Sequence, residues 1–280
     1  MKNNTGIFIP DDSENTTMQY GHYFKAEMPV PFADAPRTVR VWLPEDYDFD
    51  DETKRFPVIY FSDGQNLVNR YLTVYGDWGL DKVAHKLYKE RGLSFIAVGV
   101  DCPNEDIERC VELCPPFEPD KATDIKNPVG DKFVGFLANE LKPIIDATFF
   151  TQKEKPFTAI GGSSMGGIMA FYGGATRGDV FGFSLDFSPA FLLYKRNSWQ
   201  KILDGLELSP TNGTRFFLYV GGVGFENSFV SSTFATYKYM KNRGFDKESL
   251  AFIFDSEQKH HEDAWHKYLG DAILFWLKYE

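Results

Sequence analysis

One short segment of the chain combines residue types and spacing suited to nucleophilic acyl chemistry. Gly162-Ser163-Ser164-Met165-Gly166 fits Gly-x-Ser-x-Gly centred on Ser164; centring on Ser163 instead would put Met165 where the second glycine belongs. The β-prone run Phe157-Thr-Ala-Ile160 precedes it, and Ile168-Met-Ala-Phe-Tyr172 reads as a helical start behind it. A lone match to this pattern is weak, and the strand–turn–helix context gives it weight. A sharp turn between strand and helix strains its central residue and tolerates only small neighbours. It also lifts the hydroxyl off the sheet and aims the amides and dipole of the helix N-terminus at a developing oxyanion.

A serine hydroxyl needs a positioned base before it attacks. Of the five histidines, His22 lies in the lead-in segment, His85 falls mid-helix, and His266 is one turn into the last helix, facing solvent. His260 and His261 directly follow the β-prone run 250–254, which puts a base at the sheet's carboxyl edge beside Ser164. A metal reading of His260, His261 and Glu262 is set aside, because adjacent residues point apart. The orienting acid falls between Ser and His in the chain order of α/β hydrolases. Glu226, the first acid after the run 215–220, is preferred, and Asp255 at the end of the next run is its rival. For an oxyanion hole, the amide of Met165 follows the nucleophile, and Ser62-Asp-Gly-Gln-Asn66 offers a tight turn that presents the amide of Gln65.

These groups need a scaffold that brings strand ends together. Near-continuous apolar runs at 56–61, 94–100, 157–160, 181–187, 215–220 and 250–254 predict strands covered on both faces, as in a parallel sheet. Helical patterns at 78–91, 131–147, 165–176, 228–243 and 262–278 alternate with them; in the last, Trp265, Leu269, Ala272 and Trp276 form one buried stripe. Thr38–Trp42 alternates, and the 18–28 region pairs with it as an antiparallel lead-in. The pattern predicts a single α/β domain over 1–280 with a lead-in over 1–37. The proline-rich, acidic stretch 101–130 has no periodicity and reads as an excursion, either a lid over the pocket or a surface loop without a role. Trp78, Phe187, Phe191, Phe225 and Trp265 fall at or near strand ends and are candidates for an apolar pocket wall or for core.

Composition excludes several classes. No apolar run reaches the roughly 18 residues of a membrane helix, and the first residues lack the apolar stretch of a secretory signal. A net charge of −10 with scattered acids leaves no footprint for nucleic acid. Cys102, Cys110 and Cys114 are odd in number and have no zinc-pattern partners, so neither disulfides nor a metal are expected, and the expected setting is reduced and cytoplasmic. A homo-oligomer is compatible with the sequence.

The chain resembles the putative esterase family of α/β-hydrolases, which includes feruloyl and acetylxylan esterases, enterochelin esterases and mycolyltransferases. The resemblance runs from about Thr38 to Leu277. It is carried by Val58-Ile-Tyr-Phe-Ser-Asp-Gly-Gln-Asn66, Trp78-Gly-Leu-Asp81, Ala97-Val-Gly-Val-Asp101, Gly161-Gly-Ser-Ser-Met-Gly-Gly167 and His260-His-Glu-Asp-Ala-Trp265. It implies an α/β-hydrolase fold with a mostly parallel twisted sheet of about eight strands and helices on both faces. It also implies Ser164 as nucleophile, His260 rather than His261 as base, Glu226 as acid, and the amides of Gln65 and Met165 as oxyanion hole. Arg109-Cys-Val-Glu-Leu-Cys-Pro115 matches a family stretch only in part, with Leu113 for Tyr and two added cysteines. The expected activity is hydrolysis of carboxylic esters, of short-chain acyl or feruloyl and acetyl type on sugars or similar alcohols, with no cofactor. Acyl transfer by the same residues and a non-catalytic binding scaffold are the alternatives.

Overall fold

The alternation of β-prone and helical segments produces one sheet with a layer of helices on each face. The computed structural model describes residues 5–11, 16–73, 75–103, 105–120 and 124–278. The first four residues, read above for a secretory signal, and positions 104 and 121–123 of the acidic excursion lie outside the described residues. In chain order the elements are β1 (Ile9–Pro10), β2 (His22–Met28), β3 (Arg37–Leu43), β4 (Val58–Ser62), α1 (Leu80–Arg91), β5 (Ile96–Val100), α2 (Asp106–Glu112), α3 (Gly130–Phe136) and α4 (Lys142–Thr148). They continue with β6 (Thr158–Ser163), α5 (Met165–Thr176), β7 (Phe183–Phe187), α6 (Arg196–Gly205), β8 (Arg215–Gly221), α7 (Asn227–Asn242), β9 (Leu250–Asp255) and α8 (Glu262–Leu277).

Among the described residues the sheet has nine strands in the order β1-β2-β3-β5-β4-β6-β7-β8-β9. Strands β1, β2 and β3 enter antiparallel, and β4 to β9 run parallel to one another. The ninth strand beyond the expected eight is β1, two residues at the sheet edge, where Pro10 costs no ladder hydrogen bond. Side chains alternate faces along each strand. Ile59 and Phe61 of β4, Phe183, Leu185 and Phe187 of β7, and Phe217 and Tyr219 of β8 pack with Leu87 of α1 and Leu269 and Trp276 of α8. Val58, Tyr60, Phe216, Leu218 and Val220 face the other way, toward Phe133, Leu141, Phe171, Trp199 and Met240. Both faces are covered, which is why the strands read as unbroken apolar runs.

Three elements depart from the sequence reading. The helix expected over 131–147 is divided by a π-helical segment, Leu137–Leu141, between α3 and α4. Pro143 has no amide to donate to the carbonyl one α-turn earlier, and widening the turn accommodates that loss. Helix α6 was not predicted, although Trp199, Ile202, Leu203 and Leu206 recur at helical spacing; Trp199 and Leu203 are buried. The excursion contains α2, so it is not structureless. The stripe Trp265, Leu269, Ala272 and Trp276 is buried throughout, as its periodicity requires. Truncating it at the centre, Leu269→Ala, is expected to cost about 2–5 kcal/mol, read from urea unfolding; a loss under about 1 kcal/mol would place Leu269 outside the core.

Candidate active site

Strand β6 ends at Ser163, and α5 starts at Met165, so Ser164 alone makes the turn. Its φ of 58° and ψ of −116° lie outside the regions ordinary L-residues occupy, a conformation costing on the order of 1–3 kcal/mol. The end of β7 holds it there. The Ser164 amide donates to the Phe187 carbonyl at 2.9 Å, and the Ala190 amide donates to the Ser164 carbonyl at 3.0 Å. Space explains the glycines: a Cβ on Gly162 would lie 2.5 Å from the Gly166 backbone, and one on Gly166 would lie 2.2 Å from Ser62 Oγ.

The loops after β8 and β9 meet beside it. Glu226 is fully buried, with 0% of its surface exposed. Its Oε1 accepts from the Gly221 amide at 2.8 Å and from the Ser188 hydroxyl at 2.5 Å, and its Oε2 hydrogen-bonds His260 Nδ1. Ser188 in turn accepts from the Trp265 indole N–H at 3.0 Å. The Gly222 and Val223 amides both donate to the Gln258 carbonyl, at 3.0 and 2.9 Å, which ties the two loops together. Phe229 stacks on the His260 ring at 4.6 Å and Trp265 meets it edge-on at 5.3 Å, fixing the imidazole plane.

The rival acid is elsewhere. Asp255 accepts from Lys267 Nζ at 2.8 Å and from the Tyr268 hydroxyl at 2.5 Å. Those bonds hold its carboxyl well below the usual range, at about 2. Of the other histidines, His261 lines the cavity and the remaining three do not. His85 pairs with Glu45 and stacks on Tyr20, His22 meets Phe49 edge-on, and the exposed His266 donates from Nδ1 to the Trp78 carbonyl. His261 caps α8 instead, its Nδ1 accepting from the Asp263 amide at 3.2 Å.

Ser164, His260, Gln65, Phe225 and Trp265 line one cavity of about 790 Å³, within the range of small-molecule sites. Met165 opens α5, so its amide is among those without an intrahelical partner, and Gln65 lies in the short 3-10 turn after β4. That turn is packed closely, since a Cβ on Gly64 would lie 2.6 Å from the Gly99 backbone. The Gln65 side chain is tied to Cys102: Oε1 accepts from the Cys102 amide at 3.1 Å, and Nε2 lies 2.9 Å from the sulfur. Trp78, Phe187 and Phe191 are core rather than cavity wall. Trp78 packs against Phe187 at 5.2 Å and Trp265 at 5.8 Å beneath the site, and Phe191 stacks on Trp199 at 4.7 Å.

Sequence reasoning missed the ion pairs of the cavity rim. Arg109 of α2 grips Asp63 with two hydrogen bonds of 2.7 and 2.8 Å, and Arg40 of β3 grips Asp101 at 2.8 and 2.9 Å. Burial pushes the Asp101 carboxyl up to about 6 against the pull of Arg40. These partners lie far apart in the chain, and no local pattern marks them. The cysteines are all free. No group of three or more His, Cys, Asp or Glu suited to a metal occurs among the described residues, and no described helix is long and apolar enough to cross a membrane.

The strand order and the turn at Ser164 define an α/β-hydrolase fold. The putative esterase family matches residues 32–212. Among solved structures, the BES protein from Bacillus cereus superposes with a TM-score of 0.70 at 22% identity, over 91% of this chain and 94% of that one. A ferulic acid esterase gives 0.68 at 17% identity over 94% and 99%, and the siderophore hydrolase EstA from Aspergillus nidulans gives 0.68 at 17% over 92% and 95%. Among curated proteins none matches. The chain belongs to the putative esterase family and is a hydrolase acting on esters.

Two measurements check this geometry. Glu226→Gln is expected to lower kcat/KM by on the order of 10³–10⁴-fold, and Asp255→Asn to leave it within about threefold. Asp255, with its carboxyl depressed by folding, contributes stability above pH ~4 that fades as pH falls toward 2, so Asp255→Asn costs less than about 1 kcal/mol at neutral pH. A larger kinetic loss from Asp255→Asn than from Glu226→Gln would reassign the acid. Separately, burial raises the Cys102 thiol to about 12 and Cys114 to about 11. Iodoacetamide at pH 8 should therefore alkylate both far more slowly in native protein than in urea, by peptide mass mapping; fast native labelling would contradict the raised thiols.

Proposed function

We propose that the chain cleaves carboxylic esters through an acyl-enzyme on Ser164. His260 takes the Ser164 Oγ proton as Oγ attacks the ester carbonyl, and the amides of Gln65 and Met165 receive the oxyanion. The carbon–oxygen bond to the alcohol then breaks, and His260 passes its proton to the departing oxygen. Water attacks the acyl carbon, giving a proton to His260, and the carboxylic acid leaves as Ser164 regains its hydrogen. Glu226 keeps Nδ1 as the protonated ring nitrogen and stabilises the imidazolium, which leaves Nε2 free to exchange protons with Oγ. No metal or cofactor enters this sequence. Acyl groups of short-chain or feruloyl type on sugars or similar alcohols suit the reading, and ferulic acid and siderophore hydrolases are among the similar structures.

The observation that carries the reading is the hydrogen bond from buried Glu226 to His260, which lines the same cavity as a serine held in a strained turn. Intact-mass labelling with a fluorophosphonate tests it directly. Wild type is expected to take up one equivalent and Ser164→Ala none, with turnover of an ester panel falling on the order of 10⁴-fold or more in the variant. Folded wild-type protein that takes up no label would refute an activated Ser164.

A further inference from the structure

The cavity holds a carboxylate that the acyl-transfer chemistry does not use. Glu262 opens α8, lines the cavity with Ser164 and His260, and is only 4% exposed. Burial pushes its carboxyl up. His261 Nδ1 lies 4.0 Å away, beyond hydrogen-bond reach, and that nitrogen already accepts from the Asp263 amide. His261 and His260 attract the Glu262 carboxylate only through space, without a hydrogen bond to it. Among the described residues, the Glu262 carboxylate has only its own amide as a hydrogen-bond donor.

The rest of the wall has no surplus of positive charge to complement it. Arg40 is balanced by Asp101 and Asp11, and Arg109 by Asp63. Asp106 adds a further carboxylate to the lining. Aromatic side chains complete the surroundings. Tyr71, Tyr75 and Phe225 are 66%, 67% and 68% exposed, and all three line this one cavity. Such exposed ring faces attract cations, and a compact positive group between rings and a buried acid is stabilised by both.

We infer that this site selects esters carrying a positively charged nitrogen, an ammonium or quaternary ammonium group on the alcohol or acyl part, with Glu262 as its counter-ion and Tyr71, Tyr75 and Phe225 as its ring wall. The inference rests on the ester-hydrolase reading above and adds the charge of the substrate to it. Glu262 takes no part in bond making; it positions the substrate.

The test compares kcat/KM on three butyrate esters: that of choline, that of its uncharged isostere 3,3-dimethylbutanol, and that of 3-hydroxypropanoate, which is anionic. The choline ester is expected to exceed the uncharged isostere by on the order of tenfold, with the anionic ester slowest. In Glu262→Gln the ratio of choline to isostere should fall toward one. In parallel, choline should slow fluorophosphonate labelling of Ser164 at lower concentration than 3,3-dimethylbutanol does, a readout that needs no turnover and shows that the variant's site is intact. Equal handling of choline and the isostere in wild type would overturn the inference while leaving ester hydrolysis standing. A choline preference that survives Glu262→Gln would remove Glu262 as counter-ion. Absence of labelling and of all turnover would overturn both readings.

Discussion

The structure turns on one fully buried carboxylate. An ion such as Glu226 loses its hydration on burial, a cost of several kcal/mol unless hydrogen bonds replace the water. Its partners come from separate elements: an amide at the end of β8, a hydroxyl just past β7, and an imidazole after β9. The hydroxyl is itself fixed by Trp265 of α8. The carboxylate therefore ties three neighbouring strand ends and the last helix to one point. Removing any one of these donors would leave a buried acceptor unpaired. His260 inherits that rigidity, and the stacked Phe229 completes it.

The opposite wall of the cavity is organised by charge rather than by apolar burial. Asp63 opens the 3-10 turn of Gln65 in the left-handed region, at φ 54°, and Arg109 of the acidic excursion grips it. Arg37 of β3 reaches Glu112 at the end of the same short helix. The excursion is thus pinned at two points of α2 to the scaffold. A seven-residue helix has little helical stability of its own, so tertiary ion pairs decide its position. The turn of Gln65 depends in turn on the close approach of Gly64 to Gly99, which seats the turn against the backbone of β5.

Much of this was legible in the sequence because it rests on local patterns. The β-prone runs, the helical stripe of α8, the turn at Ser164 and the place of His260 after β9 all have short-range signatures. Helix α6 had one too, in Trp199, Ile202, Leu203 and Leu206, hidden between polar residues. The rest depends on residues distant in the chain. Nothing near Ser188 announces that its hydroxyl supports Glu226, and nothing near Arg109 points to Asp63. The aromatic residues show the same limit. Phe187 and Phe225 both lie near strand ends, yet one is buried at 0% and the other exposed at 68%. A strand end alone does not say whether a ring turns down into the sheet or out over its edge.

Sheet register joins the strained serine to the buried acid. Ser163 pairs with Phe187 across β6 and β7, Phe187 with Tyr219 across β7 and β8, and Gly221 with Asp255 across β8 and β9. The Phe187 carbonyl that holds the Ser164 amide is one residue from Ser188, whose own amide donates to Tyr219 at 2.7 Å and whose hydroxyl supports Glu226. The end of β7 therefore sets the serine and the acid at once. A slip of one residue in any of these ladders would turn inward side chains outward and separate the groups together. The core that fixes register, with Phe183, Leu185 and Phe187 packed under Trp78, Trp265 and Trp276, is thus also what positions the chemistry at its edge.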